Sequence, residues 1–464
     1  MNSEMDPNAI KRGREIIARL DRIPIWPYPK HVMLTVGIGF FFSFYDILTI
    51  GLSLPSIEKA FGVSLHAATW AITSGLIGYI IGSFINSRIS DKFGRHLSLY
   101  VSIGAFMIGS ILTAVSPDLA WVIIWRFISG MGIGAEIAAV ITYMEELSPS
   151  AVRGKATSLA IAFGMFGFAI IPFVALYFIP TFTWGWRLLF LLGGAGGVVI
   201  FFMRKYLPDS PRWLFLHERL DEADAIISKA EDFARHTLGT ELAPPGPISD
   251  YPFVVESSIA AAFKKPLLHR VILFAAIWFI YYIGNYGWLT LATSLFYHHG
   301  FKLATSIAFV AISSLGFVFG SLFVTLLSDR IERKWLCAGI AFVWTVALLV
   351  VGWFPIAPLI MIGGFVAATS IAMIIPIMYI YTGENFPTRI RQTCVAITDG
   401  VGHLGGAFCG QIIFGIAGVF AATQLRFAMA FTTMAITGFL TVVLLLFGMR
   451  MTKRSLSELS KPTE

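Results

Sequence analysis

Apolar runs of roughly 20 residues, the length that crosses a ~30 Å hydrocarbon core, recur about twelve times along the chain. They lie near 31–57, 66–88, 95–115, 119–144, 154–178, 187–204, 270–296, 303–327, 334–353, 357–382, 391–417 and 425–449. Short polar loops separate most of them. The widest interval, 205–269, is hydrophilic and holds an amphipathic stretch from Leu220 to Phe233 and a Pro-rich linker from Ala243 to Pro252. The pattern predicts an all-α membrane protein. Its parts are an N-terminal segment over 1–30, a six-helix bundle over 31–204, a linker with short amphipathic helices over 205–269, a second six-helix bundle over 270–449, and a tail over 450–464.

The two bundles share their charged punctuation. Ser90-Asp91-Lys92-Phe93-Gly94-Arg95 lies between the second and third runs, and a shift of 238 residues turns it into Ser328-Asp329-Arg330-Ile331-Glu332-Arg333. The same shift carries Tyr143, Glu146, Pro149 and Arg153, after the fourth run, onto Tyr381, Glu384, Pro387 and Arg391, after the tenth. Two separated motifs in one register indicate a duplicated half. Six helices per half make the halves parallel repeats about an axis along the membrane normal, giving 12 helices in two pseudo-symmetric bundles.

Composition agrees: 56% of the 464 residues are hydrophobic and 13% charged, against about a quarter charged in soluble domains. The net charge of +7 reads first as a topology signal. Of the 34 Lys and Arg, only Lys59, Arg187, Lys302 and Arg426 fall on the side opposite the N-terminal segment, and Arg126 lies inside a run. That asymmetry places both termini in the cytoplasm and accounts for the basic loops as headgroup contacts rather than nucleic-acid contacts. A polar segment of about 30 residues precedes the first run, so no cleavable signal peptide is read. Cys337, Cys394 and Cys409 have neither disulfide nor ligand spacing and are read as packing residues. There is no nucleotide loop, metal cluster or nucleophile constellation, so neither an enzyme nor a cofactor is expected.

Glycines at Gly78 and Gly82, at Gly130, Gly132 and Gly134, and at Gly406 and Gly410 have the small-residue spacing of close helix crossings. Ionisable residues inside the runs are costly there and point to function. Asp46 lies in the middle of the first run among aromatic residues, where a charged carboxylate is disfavoured, so it is suited to bind and release a proton. Arg126, about two turns into the fourth run, is its natural countercharge. Glu136, ten residues further on, is a second proton site, a substrate-orienting group or an interhelical hydrogen bonder. In the seventh run Tyr281, Asn285 and Trp288 share one face and predict a pocket lining, with Tyr45 and Tyr282 as further candidates. Asp399 and His403, four apart in the eleventh run, form a possible polar pair with a group that titrates near neutrality. At the loops, Asp91, Arg95, Glu146 and Arg153, with Asp329, Arg333, Glu384 and Arg391, supply opposite charges at neighbouring helix ends and predict a cytoplasmic latch.

Five motifs carry a family resemblance over nearly the whole chain: the Asp91-to-Arg95 loop, Arg126 to Gly134 with its three glycines, Glu146 to Gly154, Pro208-Asp-Ser-Pro-Arg-Trp-Leu214, and Glu384 to Arg391. Together they resemble the major facilitator superfamily, and within it the sugar-porter-like clan, which also contains aromatic-acid, nicotinate and organic-ion transporters. The resemblance implies a secondary transporter working by alternating access. In the proton-coupled sugar porters an Asp on helix one and an Arg on helix four match Asp46 and Arg126, and the Asp carries the proton. The chain departs from true sugar porters, which present paired Gln residues on helix seven and a Gln on helix five. Here helix seven has Tyr281-Tyr282, and no Gln occurs between Arg153 and Gly164. Glu136 in its Gly-Ala-Glu context resembles the nicotinate-type and organic-ion carriers.

These readings combine into a proton-coupled symporter of a small organic acid or aromatic metabolite in the plasma membrane, a monomer whose partners are its substrate and the lipid bilayer. A sugar or polyol symporter and an organic-cation transporter are alternatives within transport. A transceptor or sensor on the same fold is the alternative outside it.

Overall fold

A computed structural model describes residues 7–246, 262–265, 267–327, 330–386 and 390–449. The membrane helices are α1 (Lys30–Phe61), α2 (Trp70–Phe93, entered through the single turn Leu65–Ala68), α3 (Arg95–Ala114), α4 (Leu119–Leu147), α5 (Arg153–Thr181) and α6 (Gly185–Met203). The second set is α7 (Leu267–His299), α8 (Leu303–Leu327), α9 (Arg333–Trp353), α10 (Ala357–Glu384), α11 (Arg391–Ala407, continued by Cys409–Ala417) and α12 (Thr423–Leu446). Eleven of these are individually long and apolar enough to span a bilayer; the two pieces of α11 do so together. The sequence predicts one unbroken run over 391–417, whereas the structure bends by 41° between these pieces. The break at Phe408 follows Gly405 and Gly406 and precedes Gly410, and helices kink where glycine weakens them.

Local signals set the ends. The Asp118 side chain accepts from the Trp121 N–H (3.1 Å) and starts α4, as capping residues do. Gly94 adopts φ 99° between α2 and α3, a conformation glycine takes at no steric cost. The outer surface is apolar: Phe202, Leu322, Ile362 and Phe342 are all exposed. Such a surface belongs in lipid rather than water, and the protein is a multi-pass membrane protein.

The 238-residue repeat extends into the packing. Gly78 and Gly82 of α2 face the Phe127 and Met131 carbonyls of α4 so closely that an added Cβ would lie 2.2 and 2.1 Å from them. Shifted by 238, Gly316 and Gly320 of α8 face the Phe365 and Thr369 carbonyls of α10, each at 2.4 Å. Gly167 of α5 meets the Phe41 carbonyl at 2.3 Å, and its repeat-mate Gly405 of α11 meets the Phe279 carbonyl at 2.2 Å. Backbone-on-backbone crossings of this kind replace the hydrophobic drive that lipid removes. In each half the first helix packs on the fifth and sixth, the fourth on the second and third, and the third on the sixth. The halves meet along α1 and α7, α2 and α11, and α5 and α8.

One face of the molecule carries extra helices. The amphipathic helix Pro7–Asp21 lies against Pro211–Leu216 and Leu220–Leu238. Ile16, Ile17 and Leu20 form a small core with Trp213, Phe215 and Ile227. At the opposite face the halves touch directly: Gly51 of α1 abuts the Thr290 backbone of α7, and Glu58 meets His298 at 3.0 Å. Thr73 of α2 donates to the Ala407 carbonyl of α11 (2.7 Å) there.

Candidate functional site

Asp46 and Arg126, expected as partners, form a fully buried ion pair in the interior of the first bundle. Ser110 of α3 donates to Asp46 Oδ1 (3.0 Å) and Ser129 of α4 to Oδ2 (3.3 Å). The Arg126 guanidinium lies over the Phe190 ring of α6, 5.4 Å from its centre. Four helices therefore converge on one ion pair. Arg126 also borders a narrow cavity between the halves, with Gly75, Tyr79, Gly130, Tyr286 and Thr290.

Glu136 has a partner that sequence reasoning missed. Its carboxylate pairs with Arg204, just beyond α6, and both side chains are buried. Ser102 of α3 donates to Glu136 Oε2 (2.5 Å). The pair lies against Gly39 of α1, where an added Cβ would come within 2.6 Å of Glu136 Oε1. Arg204 is the basic residue that closes the sixth run, and that position made it look like a topology signal. What the sequence hides is that its side chain turns back into the bundle.

The second half presents rings. On α7 the residues lining the cavity are Tyr286 and Thr290, not Tyr281, Asn285 and Trp288. Tyr282 donates to Asp399 Oδ1 (3.2 Å). Tyr281 packs against Trp344 of α9, Trp288 lies near Phe431 of α12, and Asn285 is buried beside them. Adjacent residues stand about 100° apart on a helix, so shared spacing finds a face but not which way it points. Tyr45 likewise turns away, onto the Leu189 carbonyl of α6 (3.2 Å).

Asp399 and His403 come together as expected, Nδ1 to Oδ2 at 3.4 Å. Tyr379 of α10 donates to Asp399 Oδ1 (2.5 Å). Tyr79 of α2 stacks on the His403 ring with centres 4.1 Å apart and planes 13° off parallel. That stack joins the two halves at the cavity. Tyr79 and Tyr379 carried no sequence signal beyond being polar aromatics in apolar runs.

The loop charges pair within each half. Arg95 meets Asp91 (3.0 Å) and Glu146 (2.7 Å). Its repeat-mate Arg333 meets Glu384 (2.9 Å), while Asp329 lies outside the described residues. Arg153, expected opposite Glu146, instead reaches Asp21 of the N-terminal helix (3.4 Å), which also binds Arg212 (3.0 Å). The reason is that Arg95 already occupies both oxygens of Glu146. Arg391 donates to the Phe386 carbonyl (3.4 Å). Further along the N-terminal helix and just beyond it, Arg19 and Arg22 both hold Glu231. Burial works to raise that carboxyl, and the hydrogen bonds from Arg19 and Arg22 overcome it, leaving it below the usual carboxylate range.

The site is thus a buried ion pair bordering a narrow cavity between the two repeats, with a ring stack that spans both halves beside it. The sequence matches the Major Facilitator Superfamily over residues 36–409. YyaJ of Bacillus subtilis (strain 168), named for metabolite transport, is 30% identical over 421 residues, which cover 89% of this chain and 90% of that protein. The niacin transporter NiaP of Acinetobacter baylyi is 24% identical over 392 residues, covering 84% and 88%. Among solved structures, the inward-open xylose transporter XylE from E. coli superimposes with a TM-score of 0.71 at 22% identity, covering 93% of this chain and 99% of that one. The chain is a transporter, not an enzyme, and belongs to the Major Facilitator Superfamily.

Proposed function

We propose that this carrier is a proton-coupled symporter that moves a small aromatic or other organic acid inward across the plasma membrane. In this reading the face bearing the N-terminal helix is cytoplasmic, as the Lys and Arg distribution implies. The observation that carries it is the buried Asp46–Arg126 pair at the edge of the cavity between the halves. Protonating Asp46 removes the countercharge of Arg126. A substrate carboxylate entering the cavity can then take the guanidinium, a natural carboxylate partner. Tyr79, Tyr286 and His403 supply ring surface for the rest of such a ligand. Intramembrane ion pairs of this kind mark ion and substrate pathways.

The similarity to a niacin transporter supports an aromatic acid, since niacin is a pyridine carboxylate. A sugar would need several amide donors and acceptors, and no amide side chain is among the described residues lining the cavity. Thermal stabilisation of the purified carrier by nicotinate and benzoate, compared with xylose and choline, tests the substrate class. Stabilisation by the two carboxylates alone is expected, and stabilisation by xylose or choline alone overturns it. A sensor on this fold would bind nicotinate without moving it, so uptake of labelled nicotinate into proteoliposomes separates sensing from transport.

A further inference from the structure

The transport reading uses Asp46 and Arg126 and leaves a second buried ion pair, Glu136–Arg204, without a task. We propose that Glu136 is a second proton station on the cytoplasmic side of Asp46, with Arg204 as its positioning countercharge, so that protons cross the first bundle by a route separate from the substrate cavity. This rests on the proton-coupled reading above.

The two sites are built alike. Each is a carboxylate that accepts a hydrogen bond from a serine of α3 and pairs with a buried arginine. Three helices agree on the separation between them. On α1 the site moves from Asp46 to Gly39, on α3 from Ser110 to Ser102, and on α4 from Ser129 to Glu136. Seven or eight residues make two helical turns, a descent of ~10–12 Å along one face. Gly39 keeps the space that the Glu136 carboxylate occupies. A fully buried hydroxyl stands between the sites: Ser43 is one turn below Asp46 on the same face of α1 and donates to the Gly39 carbonyl (3.1 Å). Arg204 connects the lower site to the cytoplasmic boundary, since its carbonyl contacts His96 Nε2 of α3 at 2.9 Å. Glu136 is not among the residues lining the cavity.

Transfer balances as a net exchange: the O–H bond of neutral Asp46 breaks and one forms on the Glu136 carboxylate, and the ~10–12 Å between them is crossed through water, with the buried Ser43 hydroxyl along the way. The proton moves down by one station. Neutral Glu136 leaves Arg204 without its countercharge in a buried site, which favours onward loss of the proton to the cytoplasm.

Glu136→Gln alone strands a buried arginine, so the informative variant is the neutral pair Glu136→Gln/Arg204→Gln in the full chain. Infrared difference spectra between acid and neutral pH report neutral buried carboxyls without requiring a substrate. The wild type is expected to show two such bands, one absent in Asp46→Asn and the other in the double variant. In proteoliposomes the double variant is expected to lose about tenfold in proton-driven nicotinate accumulation while keeping counterflow within about twofold of wild type. An unchanged infrared spectrum in the double variant, proton-driven accumulation equal to wild type, or loss of counterflow along with accumulation overturns the inference. If Asp46→Asn also leaves both readouts unchanged, the proton-coupled reading itself fails. If Asp46→Asn uncouples and the double variant does not, only the second station fails.

Discussion

Shifted by 238 residues, Asp46 and Arg126 of the first bundle fall on Gly284 and Gly364 of the second, Glu136 falls on Ile374, and Ser102 and Ser110 fall on Ile340 and Leu348. The space those glycines leave is filled by a hydroxyl and a ring each: an added Cβ would lie 2.2 Å from Thr437 Oγ1 and 2.4 Å from Trp344 at Gly284, and 2.0 Å from Ser313 Oγ and 3.0 Å from Trp288 at Gly364. One scaffold thus closes these positions in two ways, with buried charge in the first half and with neutral hydroxyls and tryptophan in the second. Buried ion pairs are weak contributors to stability because desolvation offsets their attraction. The second half builds the same scaffold with no charge at these repeat-related positions, which argues that the ion pairs of its twin are kept for what they do. In the proposed reading the first bundle carries the coupled proton, and Tyr286 and His403 of the second supply ring surface.

The comparison breaks most severely if the shared scaffold is not shared. Gly78→Leu and Gly316→Leu each drive a side chain into a carbonyl of the neighbouring helix. Both are expected to cost more than about 4 kcal/mol and to leave no monodisperse protein in size-exclusion chromatography. A tolerated substitution in either half would end the claim of equivalent crossings. Next in size, Arg126→Met leaves Asp46 buried and unpaired, at about 3–5 kcal/mol. A large drop in melting temperature is expected, together with loss of both uptake and counterflow.

A smaller effect sharpens the division of labour. His403→Phe preserves a ring against Tyr79 but removes the link to Asp399. It is expected to raise the KM for nicotinate about tenfold while leaving the ratio of proton-driven uptake to counterflow unchanged. A change in that ratio would place proton chemistry in the second half as well.

The smallest expected effect lies outside the membrane, at the clamp on Glu231. Its carboxyl sits below the ordinary range when folded, so its stabilisation is present above the unfolded value of about 4.3 and is lost as pH falls through the lower folded value. Glu231→Gln should cost about 1–3 kcal/mol at pH 7. Melting curves of wild type and variant should converge on acidification below that range, and a constant difference down to strongly acid pH would contradict the clamp.

Much of this molecule is readable from its residues, for reasons that differ by feature. The 238-residue register is visible because charged loops and glycine crossings tolerate few substitutes in lipid. Asp46 and Arg126 stand out because charge inside an apolar run is costly and two opposite charges at similar depth have one evident resolution. The cavity-facing stripe of α7 was not readable, since the period gives a face and only neighbouring helices fix its direction. That is why Tyr286 and Thr290, rather than Tyr281 and Trp288, meet the cavity. Arg204 was hidden because a basic residue at a helix end fits the topology rule whether it points out or in. Tyr79 and Tyr379 acquire meaning only when α2, α10 and α11 are brought together around His403 and Asp399.

The central claim is that Asp46 carries the coupled proton. Labelled nicotinate accumulation by the full-length carrier in proteoliposomes, with and without an inward proton gradient, tests it directly when wild type and Asp46→Asn are compared. The account predicts that the gradient stimulates the wild type, that Asp46→Asn abolishes the stimulation, and that Asp46→Asn still performs counterflow. Wild-type accumulation that is indifferent to the gradient, or an Asp46→Asn carrier that still responds to it, would contradict the account.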